Sequence, residues 1–211
     1  MSLQEELLSF ASSVGDMFRR RVAETPEGLA FLDPDRAPEG PNRWTRYTWA
    51  ESRLLVDRLA AGLLARGLER EQRVGIISTT RLEWILLDLA VACAAGATTT
   101  VYPNTATGDV DFILGDAGTC IVVVEDATQL AKVEASPALK EAIHTIIVID
   151  TAHVELNDRV ISYTQLQLLG ADLLKQNPGA VDEAIASTDH DTLSTLIYTS
   201  GTTGQPKGVR L

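Results

Sequence analysis

The chain has 211 residues, 45% of them hydrophobic and 22% charged, and a formal net charge of −11. That length and composition suit a globular unit with a real core, so disorder is excluded as the default state. The acidic balance argues against nucleic-acid binding, which is built on clustered lysine and arginine; the one dense basic run, Arg19-Arg20-Arg21, is expected to be a solvated helix end with at most a weak membrane-surface contact.

In chain order, Leu3, Leu7, Leu8, Val14, Met17, Phe18 and Val22 recur at helical spacing, which predicts a helix that Pro26 stops. Leu29 to Leu32 reads as a short strand, Pro34 to Pro41 as a turn, and Trp44 to Tyr47 as the next strand. Thr48 and Glu51 form a Thr-x-x-Glu capping box that opens a helix to Arg66, with Gly67 as its left-handed stop. Arg73 to Ser78 is a buried strand. Thr80 and Glu83 suggest a second capping box, opening a helix that ends near Gly96. Thr98 to Val101 follows as a strand closed by Pro103. Asp109 to Leu114 is helical, Cys120 to Val124 a β-branched strand, and Leu130 to Ala142 a helix broken at Pro137. His144 to Ile149 and Val160 to Tyr163 are strands, and Thr164 caps a helix toward Lys175. Asn177 to Asp191 is polar and reads as a loop, although Asp182 and Glu183 also suit a helix start. Leu193 to Thr199 is the last strand.

Apolar strands separated by amphipathic helices predict an α/β fold, a three-layer α/β/α unit around a mostly parallel sheet. Residues 1–191 are expected to form one subdomain, and 192–211 to open a second, incomplete one. Apolar strand surface left bare at such an edge predicts poor solubility or self-association. The most apolar run, Trp84 to Ala97, is cut by Asp88 and falls short of the roughly 20 residues a bilayer needs. The N-terminus lacks the basic and apolar regions of a secretory signal. Cys93 and Cys120 sit in apolar surroundings without a second thiol or histidine at ligand spacing, which predicts core packing and a cytoplasmic setting. His144, His153 and His190 are isolated and are expected to have no catalytic role. No acidic pair has the spacing of a metal site.

The segment that carries chemistry is Tyr198-Thr199-Ser200-Gly201-Thr202-Thr203-Gly204-Gln205-Pro206-Lys207-Gly208-Val209. An apolar strand delivers the chain into a run of threonine, serine and glycine, followed by Pro-Lys-Gly. Phosphate oxygens need many close donors and little bulk; glycines let the backbone approach, hydroxyls donate, and a lysine adds charge. The P-loop pattern is excluded because Lys207 is followed by Gly208 and Val209 rather than by a hydroxyl residue and a helix. Gly201 and Gly204 do not fit the dinucleotide fingerprint either. From composition alone, a hairpin turn between two strands remains the alternative.

Tyr198 to Val209 resembles the signature loop of the adenylate-forming superfamily, which includes AMP-forming acyl-CoA synthetases, peptide-synthetase adenylation domains and luciferases. Further matches lie upstream. Tyr47-Thr48-Trp49-Ala50-Glu51 resembles the family's early helix start, and Arg73 to Pro103 its strand–helix–strand core. Ile113-Leu114-Gly115-Asp116-Ala117-Gly118 resembles its next helix end. The wording Arg81-Leu82-Glu83-Trp84 and Val101-Tyr102-Pro103-Asn104 is most like bacterial long-chain fatty-acid–CoA ligases.

The resemblance implies a two-step ligase that uses ATP, Mg²⁺ and coenzyme A to activate and transfer a fatty acid. It implies that Thr199, Ser200, Gly201, Thr202, Thr203, Gly204 and Lys207 bind the ATP phosphates, with Thr199 also near Mg²⁺. No catalytic residue is assigned in this segment, because the family's other motifs come later than Leu211. The chain is therefore expected to be an N-terminal portion that completes neither half-reaction alone. A non-catalytic remnant, a fatty acyl-AMP ligase segment and an aryl-acid ligase segment stay open.

Overall fold

The computed structural model describes residues 11–34, 43–199 and 206–211. Helix α1 (Val14–Glu24) starts at a cap that the leucine spacing conceals. Ser13 is its N-cap and accepts from the Asp16 N–H, while the Ser12 N–H donates to the Asp16 carboxylate at 2.8 Å. Serine side chains compete for backbone groups, so a helix running through residues 11–13 is interrupted there. Leu3, Leu7 and Leu8 lie outside the described residues. Strands β1 (Leu29–Pro34) and β2 (Trp44–Thr48) pair antiparallel as a separate two-stranded sheet.

Helix α2 (Trp49–Ala65) opens on the expected capping box. The Thr48 N–H donates to Glu51 Oε2 at 2.8 Å, and the Glu51 N–H to Thr48 Oγ1 at 3.2 Å. It closes at Gly67, φ +83°, with the Leu68 N–H on the Leu63 carbonyl and the Gly67 N–H on that of Leu64, the paired bonds of a Schellman end.

The rest alternates. In order come β3 (Arg73–Ile77), α3 (Leu82–Cys93), β4 (Ala97–Val101), α4 (Thr107–Asp116) and β5 (Thr119–Val124). They are followed by α5 (Ala127–Glu134), α6 (Pro137–Ala142), β6 (Thr145–Val148), β7 (Val160–Ser162), α7 (Tyr163–Gln176), α8 (Ala180–Ala186), β8 (Thr195–Thr199) and β9 (Lys207–Arg210).

Three local expectations are corrected. Helix α3 is capped at Arg81 without a side-chain bond, because Glu83 is engaged by the Arg81 guanidinium at 2.6 and 2.7 Å instead of completing a box with Thr80. Ser162, not Thr164, caps α7, in a box with Gln165. The polar stretch after Asn177 is not a plain loop: α8 buries Val181 and Ile185 and carries Asp182 and Glu183 in its first turn, where the helix dipole favours them.

The main sheet has the order β7-β6-β5-β3-β4-β8-β9, parallel except for β9, which runs antiparallel to β8. Two apolar layers sandwich it. Val74, Ile76, Ile121, Val123 and Ile147 face the cluster that includes α2, α3 and Leu166 of α7. Ile77, Val122, Val124, Ile146 and Val148 face the cluster fed by Val110, Ile113 and Leu114 of α4, Val133 of α5 and Leu139 of α6. Helices α2 and α7 touch backbone to backbone. A Cβ on Gly170 would lie 1.8 Å from the Arg58 carbonyl oxygen, and one on Gly62 2.3 Å from that of Leu166. Position 191/192 falls between α8 and β8, and the sheet continues across it.

In the basic run Arg20 and Arg21 are exposed as expected of a solvated helix end, and Arg19 departs from it. Arg19, with a side chain 14% exposed, reaches Asp57 of α2 at 2.6 Å and Asp182 of α8 at 3.0 Å, tying three helices together. Arg20 pairs with Asp16, and Arg21 lies 5.2 Å from the centre of the Trp49 ring.

Candidate phosphate-loop site

Strand β8 pairs with β4 over two register positions, Thr98 with Thr195 and Thr99 with Leu196. The Thr195 hydroxyl reinforces that junction by donating to the Thr98 carbonyl at 3.0 Å. Beyond Leu196 the strand pairs with β9, through Ile197–Val209, Tyr198–Gly208 and Thr199–Lys207. The serine, threonine and glycine run is therefore spanned by a β-hairpin whose last described pair is Thr199 with Lys207. The hairpin alternative drawn from composition and the phosphate-loop reading are thus compatible. Of the residues expected to bind phosphate, Thr199 and Lys207 are described, and both are exposed. Ser200, Gly201, Thr202, Thr203 and Gly204 lie outside the described residues.

Alternation along the strands sorts the side chains. Leu196 and Tyr198 point to the α4 layer, where Leu196 packs with Ala97 and Leu193 and Tyr198 lies against them. The Tyr198 hydroxyl donates to Asp116 Oδ2, at the end of α4, at 2.6 Å. Burial, together with the bond to and charge of Asp116, pushes the phenol well above its ordinary pKa. Across the ladder Gly208 leaves room for the ring; a Cβ there would sit 2.9 Å from Tyr198 Cζ. Thr199 and Lys207 project to the opposite face with Ile197 and Val209, which are 43% and 45% exposed. Lys207 makes no ion pair with another described residue. A solvent-facing ammonium beside a threonine at the mouth of a glycine-rich hairpin fits the donors that a polyphosphate needs.

A second polar cluster, which sequence reasoning missed, sits at the carboxyl ends of β3 and β5. There the chain order reverses across the sheet, a place where open α/β sheets commonly bind ligands. Glu125 accepts from the Thr79 N–H at 2.7 Å, the Thr79 hydroxyl at 3.0 Å and the Ser78 hydroxyl at 3.3 Å, with the Arg81 guanidinium 3.5 Å away. Burial alone would raise the Glu125 pKa; these bonds and the Arg81 charge outweigh it and hold the carboxyl below its ordinary value. The crevice is thus satisfied by the protein's own charges. The signal was available in Ser78-Thr79 after one strand and Glu125 after another, but only the strand order brings them together.

Among the described residues, no group of three or more His, Cys, Asp or Glu side chains is placed to hold a metal ion. The same residues include no helix long and apolar enough to cross a membrane. Cys93 is buried, and burial pushes its thiol up to about 12. Cys120, half-buried, is also raised, chiefly by burial. Neither carries the thiolate that reactivity requires.

A family model described as AMP-binding enzyme matches residues 18–211. Long-chain-fatty-acid–CoA ligase FadD15 of Mycobacterium tuberculosis is 34% identical over 172 residues, 80% of this chain and 26% of that protein. Long-chain-fatty-acid–CoA ligase ACSBG2 of Mus musculus is 28% identical over 179 residues, 84% of this chain and 26% of that protein. The chain thus spans about a quarter of the length of these relatives. Among solved structures, the anthranilate CoA ligase AuaEII in complex with anthranoyl-AMP superposes with a TM-score of 0.78 at 18% identity, covering 100% of this chain and 36% of that one. A long-chain-fatty-acid–CoA ligase from Archaeoglobus fulgidus gives 0.70 at 19% identity, with 95% and 36% covered.

Proposed function

Because the chain belongs to the AMP-binding enzyme family, we propose that it is the N-terminal segment of an AMP-forming long-chain fatty-acid–CoA ligase, and that its β8–β9 hairpin holds the phosphates of ATP. In the proposed reaction a fatty-acid carboxylate attacks the α-phosphorus of ATP, releasing pyrophosphate and leaving an acyl-adenylate. The thiol of coenzyme A then displaces AMP. The observation that carries this reading is the pairing of Thr199 with Lys207, which brings a hydroxyl and an ammonium together where the glycine-rich run begins and ends.

Lys207 would offset charge on the β- and γ-phosphates, and Thr199 with Ser200, Thr202 and Thr203 would donate to their oxygens. Gly201 and Gly204 would let the backbone approach. Positioning and charge neutralisation are what such a transfer chiefly asks of the protein. Mg²⁺ would arrive with ATP and neutralise its phosphates, with Thr199 as the nearest described ligand. The choice of long-chain fatty acids rests on the named activities of FadD15 and ACSBG2. The subdomain division at 191/192 belongs to this reading, as does a cytoplasmic location, which two unpaired cysteines suit. At about a quarter of the ligases' length, the 211 residues alone are expected to complete neither half-reaction. The exposed Ile197–Val209 pair is the face through which they would self-associate.

The test is carboxylate-dependent ATP–pyrophosphate exchange across fatty acids of increasing length, run on this chain beside the longest reading frame that contains it. Exchange confined to the longer protein, and lowered about 100-fold by Lys207→Ala as for other preorganised charge donors, is the expected result. Fatty-acid-dependent exchange by the 211 residues would refute the division of labour. Its absence from both would refute the ligase reading.

A further inference from the structure

We infer that Asp116 is a positioning residue for the Thr199–Lys207 pair of the β8–β9 hairpin, acting through Tyr198. The inference rests on the reading of the β8–β9 hairpin as the ATP-phosphate site, and adds how the fold aims it.

The argument starts from how little holds the relevant half of β8. Its register with β4 covers Thr195 and Leu196, the two residues farthest from the loop. Ile197, Tyr198 and Thr199 have β9 as their register partner, and all four residues of β9 are exposed. A two-stranded ribbon of that kind is marginal by itself and needs packing to fix its direction. Tyr198 supplies that packing. It is the residue immediately before Thr199, its ring lies on Gly208, and its hydroxyl reaches Asp116 across 82 positions of sequence.

Asp116 stands on a fixed base. Val110, Ile113 and Leu114 bury α4 against the sheet, and the Arg73 guanidinium of β3 donates to the Ala117 carbonyl at 2.5 Å. Position therefore passes from the centre of the sheet through Arg73 to the end of α4, through Asp116 to the Tyr198 ring, and so to the Thr199–Lys207 mouth. Arg73, Asp116 and Tyr198 need not touch the ligand. Asp116 accepts a bond on one oxygen, so an asparagine there can keep the contact, whereas alanine cannot.

The test uses this chain, magnesium pyrophosphate as the probe, and calorimetric titration of Asp116→Ala, Asp116→Asn, Tyr198→Phe and Lys207→Ala, with denaturation midpoints measured for each. The expected result has three parts. Affinity falls about fivefold in Asp116→Ala and in Tyr198→Phe, the size of one net hydrogen bond. It recovers in Asp116→Asn, and the denaturation midpoint does not track these changes. Unaltered affinity in Asp116→Ala and Tyr198→Phe would overturn the positioning role while leaving the phosphate site standing, provided Lys207→Ala weakens binding. Loss that follows the denaturation midpoint and is not recovered by Asp116→Asn would reduce Asp116 to general stability. No binding by the unsubstituted chain would overturn the ligand reading and this inference with it.

Discussion

Glu125 shows how much one side chain can settle. Its carboxylate occupies the reversal crevice and accepts three bonds from Ser78 and Thr79. The folded state holds this group below its ordinary pKa of 4.5, so its contribution is complete above that value and is lost as pH falls through the lower, folded one. Glu125→Gln keeps an acceptor but removes the charge. At pH 7 it should cost about 1 kcal/mol in a urea titration, the difference between charged and neutral bonds at a side chain that is still 20% exposed. The deficit should shrink below pH 4.5; a pH-independent deficit would assign it to packing. At this scale the sequence was only partly legible. Thr48-x-x-Glu51 and Thr80-x-x-Glu83 carry the same pattern, yet only the first becomes a capping box. The difference is Arg81, whose bidentate grip on Glu83 offers the carboxylate a stronger partner than a backbone N–H.

Among elements, the α2–α7 contact is the most demanding. Gly62 and Gly170 let the two backbones meet, and a methyl at position 170 would overlap the Arg58 carbonyl at 1.8 Å. Gly170→Ala should therefore cost about 3 kcal/mol or more, at the upper end of overpacking, because backbone rather than a rotatable side chain is in the way. Chemical denaturation would check it; a loss under about 1 kcal/mol would mean the helices separate easily. Nothing in the local pattern of α7 announces this crossing, since Gly170 lies mid-helix where glycine usually signals weakness. Helix α8 escaped for another reason. Seven residues with two buried apolar positions give too short a period to stand out from a polar loop. The strands were easier: β6 is a continuous β-branched run and β3 and β5 are rich in valine and isoleucine, because both of their faces are covered.

For the molecule as a whole, alternation announced a layered, mostly parallel sheet, but not the strand order. Local periodicity carries no record of which side of β3 each strand joins. The candidate site was legible as a motif, and its flanks as strands; the Tyr198–Asp116 contact was not, because its partners are distant in sequence. The same order leaves Ile197 and Val209 side by side on a bare face. Sedimentation of the isolated chain should show association that grows with concentration and is suppressed by Val209→Lys. A monomer at every concentration would sink that expectation.

The placement of β8 also has a consequence for synthesis. Strands β3 to β7 complete a contiguous five-stranded block before β8 is made, and β8 then returns to the far side of β4. A chain emerging from the ribosome can therefore settle its parallel core while residues 195–211 are still inside the exit tunnel, since vectorial synthesis is slow beside local folding. The part proposed to meet ATP would be added to a finished platform, and errors in its docking need not unravel what was built before it.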